Sequence, residues 1–328
     1  MVMRSTAGSP RAIGDAVRAW LDGLDDAQRR LATYPFESDE RFVWAYTPEP
    51  ARKGLALGAM RPVQRAAARA IVDAAASARG AEEIAAIIDL ETVLGEIERA
   101  AGRPGWQRRD PARYWLAVFG EPGADEPWSW RIGGHHVAVQ VTAAGGEVIA
   151  AAPSFLGANP AGAPDGTRTL PGEEDLARAL LAALGPGERG RAVVATSAPA
   201  DILTGNGRHA EVASVPVGVR HADLGGAARA ALERLIRHYV DRARADVAEQ
   251  TWARAVAPEL GDVTFAWAGS DLPGRGHYYA VRGPQFVIEY DNTQDGANHV
   301  HAVWRELAND WGEDLLARHL AGDHPVGG

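Results

Sequence analysis

The sequence predicts an α+β fold in which a helical N-terminal third packs on a mainly antiparallel β-sheet. Helical periodicity dominates before residue 101, and short apolar strands separated by Gly and Pro dominate after residue 112. Helices and strands are therefore segregated along the chain, whereas a doubly wound fold would alternate them. We expect a disordered segment at 1–10, a single domain over 11–320 (helical part about 11–101, sheet-rich part about 112–320) and a tail at 321–328.

The predicted helices follow from apolar residues that recur every three or four positions. In chain order they cover 13–32, 60–78, 82–100, 174–184, one or two helices within 222–257, and 311–320.

The predicted strands are short runs rich in Val, Ile and aromatic residues that end at Gly or Pro. In chain order they cover 42–46, 114–119, 128–132, 135–141, 147–152, 263–267, 277–281, 285–291 and 299–304. The Gly pair at 145–146 predicts a hairpin turn, and 153–171 is predicted to be a long loop. Because only seven residues separate 291 from 299, the last two strands should form an antiparallel hairpin.

The charge of the chain excludes one broad class of partner. Its 328 residues carry 34 Lys and Arg against 43 Asp and Glu, a formal net charge of −9. Nucleic-acid binding needs a basic surface, so we expect no nucleic-acid partner. Neither a phosphate-binding loop nor a dinucleotide fingerprint has the required glycine spacing.

The absence of cysteine limits the chemistry. Disulfides, thiolate nucleophiles and cysteine-ligated metals are excluded, so any metal must be held by His, Asp and Glu. The first ten residues lack the apolar core of a signal peptide, and the sequence has no uncharged apolar run of 18 residues. We expect a cytoplasmic protein without a membrane partner.

The strongest chemical clue is the pair His299 and His301. In a strand, alternation places both imidazoles opposite Val300, Ala302 and Trp304, which suit an apolar core. The histidine face then looks toward a pocket or solvent. The alternative is a pair of surface or hydrogen-bonded histidines, but two imidazoles after a carboxylate-bearing strand are typical of a divalent-metal site.

A third imidazole is expected from the Gly-Gly-His-His segment that ends at His136. If 135–141 is a strand, His136 shares the polar face with Gln140, while His135 aligns with the valines of the core face. Three imidazoles on one metal leave a coordination position open for water or substrate. His135 is then expected to support the ligands or to pack.

Four charged residues beside these histidines are candidate catalytic residues. Glu289 and Asp291 could be a fourth ligand, a general base, or acceptors for the imidazole N–H groups. Alternatively, they are an ordinary strand acid and a turn-forming Asp. Arg131 and Arg305 could clamp an anionic group of a substrate, or be ordinary sheet arginines with acidic neighbours.

Long motifs in this sequence resemble the bacterial "domain of unknown function 3500" family. They are Trp128–His136, Pro153–Pro160, Asp201–Asn206, His277–Pro284, Ile288–Gln294 and Asn298–Arg305. The resemblance runs from about Trp20 to His319 and implies one full-length domain. It implies little about a reaction.

The pattern favours a mononuclear metalloenzyme that acts on small organic substrates, with a divalent transition metal on His136, His299 and His301. Histidine and carboxylate sites suit Zn, Fe and Cu alike, so water activation for hydrolysis and oxidative chemistry both stay open. A second hypothesis is a metal-free protein that grips an anionic small molecule with His and Arg. A third is an interaction protein with structural histidines. The oligomeric state cannot be predicted.

Overall fold

The structure, a computed structural model, describes residues 10–48 and 52–317. The predicted disordered start therefore lies outside the described residues, except for Pro10, which begins the first helix. The predicted tail at 321–328 also lies outside them.

The described helices are close to those predicted, with shifted ends, except that the short helix Pro186–Ala192 was not predicted. They are α1 (Pro10–Asp22), α2 (Asp26–Ala32), α3 (Pro62–Ala75), α4 (Ala78–Ala100), α5 (Pro171–Ala183), α6 (Pro186–Ala192), α7 (Gly226–Val240) and α8 (Ala245–Thr251). The predicted helix at 13–32 is divided because Asp25 caps a new helix with a reciprocal bond to Gln28. The predicted last helix is a 3₁₀ turn (Asp310–Gly312) followed by helical residues up to 317, where the described residues end.

The strands form one sheet of thirteen strands within the described residues. They are β1 (Thr33–Tyr34), β2 (Leu55–Ala56), β3 (Tyr114–Phe119), β4 (Trp128–Gly134), β5 (Val137–Ala144), β6 (Glu147–Ala150), β7 (Ser154–Ala158), β8 (Val193–Ala195), β9 (Val219–Arg220), β10 (Thr264–Gly269), β11 (His277–Arg282), β12 (Phe286–Gln294) and β13 (His299–Glu306). The main path runs β1-β3-β4-β5-β7-β13-β12-β11-β10-β8, and most pairs are antiparallel. The predicted α+β class is confirmed.

Two strand predictions were wrong. The predicted loop at 153–171 contains β7, which pairs with both β5 and β13 and so joins the two halves of the sheet. It was missed because it is five residues long, contains Gly157 and is flanked by prolines, all of which are atypical of a central strand. The predicted strand at 42–46 is extended only in part, and the carbonyls of Ala45 and Tyr46 accept bonds from Arg52 and from the His136 N–H rather than from a neighbouring strand.

The predicted hairpin of the last two long strands is confirmed. β12 and β13 pair antiparallel, with Asp291 opposite His301 and Glu289 opposite Val303. Residues opposite each other in a sheet share a face, so both acids lie on the same face as His301. The turn between the strands brings Asp295 within four residues of His299.

The two faces of the sheet are covered differently. The helix face carries Trp304, Ile288 and Leu156, which belong to the large core formed with the helices. The opposite face, here called the loop face, carries Phe155 and Val303. These pack against residues from the loops, among them Trp44, Ile202 and Trp311. In the described part of the chain, none of the helices is long and apolar enough to cross a membrane.

Candidate metal centre

Three imidazoles meet on the loop face. The Nε2 atoms of His136 and His299 are 2.8 Å apart, and those of His299 and His301 are 3.1 Å apart. One ring nitrogen from each residue lies within 4.8 Å of the others, which is the spacing of ligands around a single metal ion. The predicted convergence of these three side chains is therefore confirmed as geometry.

His136 reaches the cluster by a different route from the one predicted. It is not on a strand but in the two-residue turn between β4 and β5, where its φ is +64°. A non-glycine residue in this left-handed region is uncommon and costs free energy, so the surroundings must hold it there. Its N–H donates to the Tyr46 carbonyl and its carbonyl accepts from the Gly157 N–H.

Gly157 is also what allows the ring of His136 to lie flat against β7. A Cβ atom at this position would come within 2.9 Å of His136 Cδ2 and within 2.8 Å of the Val300 carbonyl oxygen. Real Cβ atoms do not approach other atoms so closely. The glycine is therefore required for close approach, not for an unusual φ angle.

Carboxylates fix the tautomers of two of the three rings. Asp295 Oδ2 lies 3.2 Å from His299 Nδ1, and Asp201 Oδ1 lies 2.6 Å from His301 Nδ1. An ionised carboxylate can only accept, so we assign the ring proton of each histidine to Nδ1. The lone pairs of both Nε2 atoms then point into the cluster. Asn159 Nδ2 supports this arrangement with a bond of 3.0 Å to Asp295 Oδ2.

Burial favours the neutral form of His136 and of His299. It lowers the pKa of His136 well below its usual value, and the neighbouring His135 and His299 lower it further. Burial and the nearby His301 lower the pKa of His299 to about 4. The pKa values of the two supporting carboxyls, Asp201 and Asp295, are lowered on balance. Burial alone would raise both pKa values, but the histidines that the carboxyls face outweigh it.

A second layer of charged residues stands behind His136. The ring of His135 stacks on that of His136 with 3.7 Å between centroids. His135 Nδ1 makes a very short contact with the buried carboxylate of Glu91. Arg109 lies 3.3 Å from the same nitrogen and is held by Glu98 through two bonds of 2.8 and 2.9 Å. His135 thus packs directly against His136, one of the two roles that the sequence left open for it.

Of the two candidate acids, Asp291 has the environment that is more typical of a catalytic group. Its Oδ1 accepts from the N–H and the hydroxyl of Thr293 at 2.9 and 2.8 Å. Its buried Oδ2 has no partner among the residues that the structure describes. Burial raises the pKa of Asp291 to about 6, against the Thr293 bonds that lower it.

Glu289 has contacts of a structural kind. Its two oxygens accept from the N–H groups of Leu203 and Thr204, at 2.6 and 3.0 Å, and from the hydroxyl of Tyr278 at 2.8 Å. The carboxylate therefore anchors the loop that begins at Asp201. Through this loop, Glu289 positions Asp201, which accepts the hydrogen bond from His301. Glu289 itself does not contact the imidazoles.

The two candidate arginines also bond to the protein. Arg131 donates to the carbonyl of Glu40 and to its carboxylate, both at 2.8 Å. Arg305 is fully buried, pairs with Asp310 at 2.5 Å, and donates to the carbonyls of Gly207 and Arg208. These bonds hold the surrounding loops in place, and the structure gives neither guanidinium a contact to the three imidazoles.

Sequence reasoning missed Asp201 and Asp295 as partners of the histidines. Asp295 sits in the turn just before His299, so its proximity could have been inferred from the predicted hairpin. Asp201 lies in the motif Asp201–Asn206, but its place beside His301 depends on a loop 100 residues away in sequence. Local patterns do not contain that information.

The fold and the site define an α+β protein with a three-histidine cluster on the loop face of its sheet. The chain belongs to the family described as "Protein of unknown function (DUF3500)", whose sequence model matches residues 6–313. Comparisons with curated proteins and with solved structures give no match.

Proposed function

We propose that this protein is a mononuclear metalloenzyme in which His136, His299 and His301 hold a divalent transition metal. The observation that carries the proposal is the contact between the Nε2 atoms of His299 and His301. Both rings keep their proton on Nδ1, where Asp295 and Asp201 accept it. Two lone pairs therefore face each other at 3.1 Å, which is unfavourable unless a cation lies between them.

An extra proton would be a poor substitute for that cation. Burial lowers the pKa of His136 and His299, so an imidazolium is disfavoured near neutral pH. A metal ion relieves the repulsion between the Nε2 atoms of His299 and His301, and it also explains why carboxylates orient these two rings from behind.

The donor set suits Zn, Fe or Cu, and three protein ligands leave a position for water or substrate. When bound, such a metal supplies either a Lewis acid for hydrolysis or a redox centre. Among the chain's own groups, Asp291 is the one to exchange a proton with a small organic substrate or water, through its unpartnered Oδ2. Glu289, Arg131 and Arg305 then serve by holding the loops around the site.

Metal analysis of the protein, purified without a histidine tag, tests the proposal. We expect about one Zn, Fe or Cu per chain after purification or after reconstitution followed by extensive dialysis. The metal that binds most tightly then decides which substrates are tested for activity. Hydrolysable substrates are tested for Zn, and oxidisable substrates are tested for Fe or Cu.

A chain that stays free of metal after reconstitution would contradict the proposal. If such a chain instead carried an anionic organic molecule, the alternative of a metal-free binding protein would replace it. A cytoplasmic location is kept as part of the proposal and is tested by cell fractionation.

A further inference from the structure

A separate internal cavity lies on the helix face of the sheet, on the opposite side from the histidines. Its volume is about 60 Å³, several times the roughly 10–15 Å³ that one water molecule needs. Helices α3, α4, α7 and α8 and strands β4, β5, β7 and β13 line it. Its wall is mostly apolar and includes Val72, Ile84, Val139, Val141, Leu156 and Trp304.

Polar side chains interrupt this apolar wall at several positions, and three of them are of interest here. Trp130, Arg242 and Glu306 all line the cavity, and each is at most 7% exposed. Trp130 Nε1, Arg242 Nη1 and Glu306 Oε1 are buried and have no hydrogen-bond partner within the described ranges. Buried polar atoms are rarely left unpaired in native proteins, and the feature that these three share is the cavity.

The three side chains cannot easily turn away from the cavity to find partners elsewhere. The Nε and Nη2 atoms of Arg242 are fixed by the carboxylates of Glu83 and Glu173. The Oε2 atom of Glu306 is fixed by Arg254, and the Trp130 indole sits in the centre of a paired strand. The cavity is thus preorganised with two N–H donors and one carboxyl oxygen.

We propose that this cavity binds a small apolar molecule that ends in a neutral amide. A carbonyl oxygen can accept from Arg242 and Trp130, while an amide N–H can donate to Glu306. A carboxylate is a poorer fit because Glu83 and Glu173 already balance the charge of the guanidinium, and Glu306 adds another acid to the cavity wall. This site does not depend on the metal proposal, because it involves other residues on the other face of the sheet.

The test compares isobutyramide with 3-methyl-2-butanone, an isosteric ketone that lacks the N–H groups. Binding is followed by the indole N–H resonance of Trp130 in nitrogen-15 NMR spectra, assigned by its loss in Trp130→Phe. We expect the amide to shift this resonance saturably and to bind roughly tenfold more tightly than the ketone, the worth of about one hydrogen bond. The Trp130→Phe variant should bind the amide more weakly, as followed through the resonances of other residues that line the cavity. The Trp106→Phe variant, changed outside the cavity, should bind the amide as the wild type does.

Three outcomes would overturn the proposal. They are an unshifted Trp130 resonance at saturating amide, equal affinity for amide and ketone, and a ligand-soaked crystal structure that shows only water in the cavity. The amide and ketone comparison is made on the wild-type protein and can be followed by any indole resonance that responds to the ligand, so it stands even if Trp130→Phe does not fold.

Discussion

In the part of the chain that the structure describes, two clusters each place three potential metal ligands within 4.8 Å of one another, and we propose a metal for only one of them. The first is the histidine cluster of His136, His299 and His301, and the second is the acidic cluster of Glu83, Glu173 and His238. Proximity and burial are similar in both. What differs is the charge that already lies among the ligands.

In the acidic cluster, a cation of the protein occupies the place of a metal. Arg242 bonds both carboxylates, and His238 lies 3.1 Å from Glu173. Burial alone would raise the pKa of Glu173, but the guanidinium outweighs it and lowers it to about 2. In the histidine cluster the carboxylates stand behind the rings and leave the inner nitrogens without a counter-charge. If the proposed metal binds at the histidines, charge balance, not ligand spacing, is what distinguishes that site from an ion-pair network.

The sharpest way to break this comparison is to remove ligands from the histidine cluster. The double variant His299→Ala, His301→Ala should lose all bound metal, because a single remaining imidazole binds divalent ions weakly. The matched control, His238→Ala in the acidic cluster, should keep the wild-type metal content. Plasma mass spectrometry of dialysed protein measures both, and equal metal loss in the two variants would erase the distinction.

The reciprocal change removes the internal cation of the acidic cluster. Arg242→Met removes the guanidinium from the fully buried Glu173, which keeps only His238 beside it, and should lower the free energy of unfolding by about 3–5 kcal/mol. Metal content at the histidines should stay unchanged. Urea unfolding gives the stability, with the surface pair variant Arg69→Met as a control that should cost less than about 1 kcal/mol. A normal stability for Arg242→Met would show that this arginine does not balance the cluster.

The fold class and the three imidazoles were predictable because they depend on local patterns. Alternation in β13 placed His299 and His301 on one face, and the seven-residue turn fixed their hairpin partner. His136 was chosen as a candidate because it was expected to lie in a strand, although in the structure it lies in a turn with a left-handed backbone conformation. β7 and the loop at Asp201 were not predictable, since both owe their positions to partners far away in the chain.

Carboxylates behind the rings should matter less than the rings themselves. Asp201→Ala and Asp295→Ala each remove the acceptor that fixes an Nδ1 proton, and should weaken metal affinity by roughly 10–100-fold without emptying the site. Competition with a chelator of known affinity measures the change. Asp262→Ala, at an exposed ion pair, is the control. If both site variants bound metal with unchanged affinity, the carboxylates would not be needed to fix the tautomers of the histidines.

Lowering the pH should affect the two clusters differently. Protons compete with metal for neutral imidazoles, and burial lowers the pKa of His299 to about 4. Metal should therefore be lost only as pH falls from about 6.5, the ordinary histidine value, toward 4. In the same window Glu173 stays ionised, because its pKa is about 2. Stepwise dialysis with metal analysis, and circular dichroism to monitor the fold, tests this. Loss of half the metal above pH 6.5 from a folded chain would contradict it.

The smallest expected effect comes from a single methyl group behind His136. Gly157→Ala would place a Cβ 2.9 Å from His136 Cδ2 and 2.8 Å from the Val300 carbonyl oxygen, so both the ring of His136 and the strand that carries His299 and His301 must shift by some tenths of an ångström. We expect metal affinity to fall by roughly tenfold, the lower end of the effect of a disturbed ligand support. Gly187→Ala is the matched control, because a Cβ there meets open space. An affinity equal to that of the control would mean that His136 is not held in place by its contact with β7, and its position would then rest on the turn and on the stacked His135 alone.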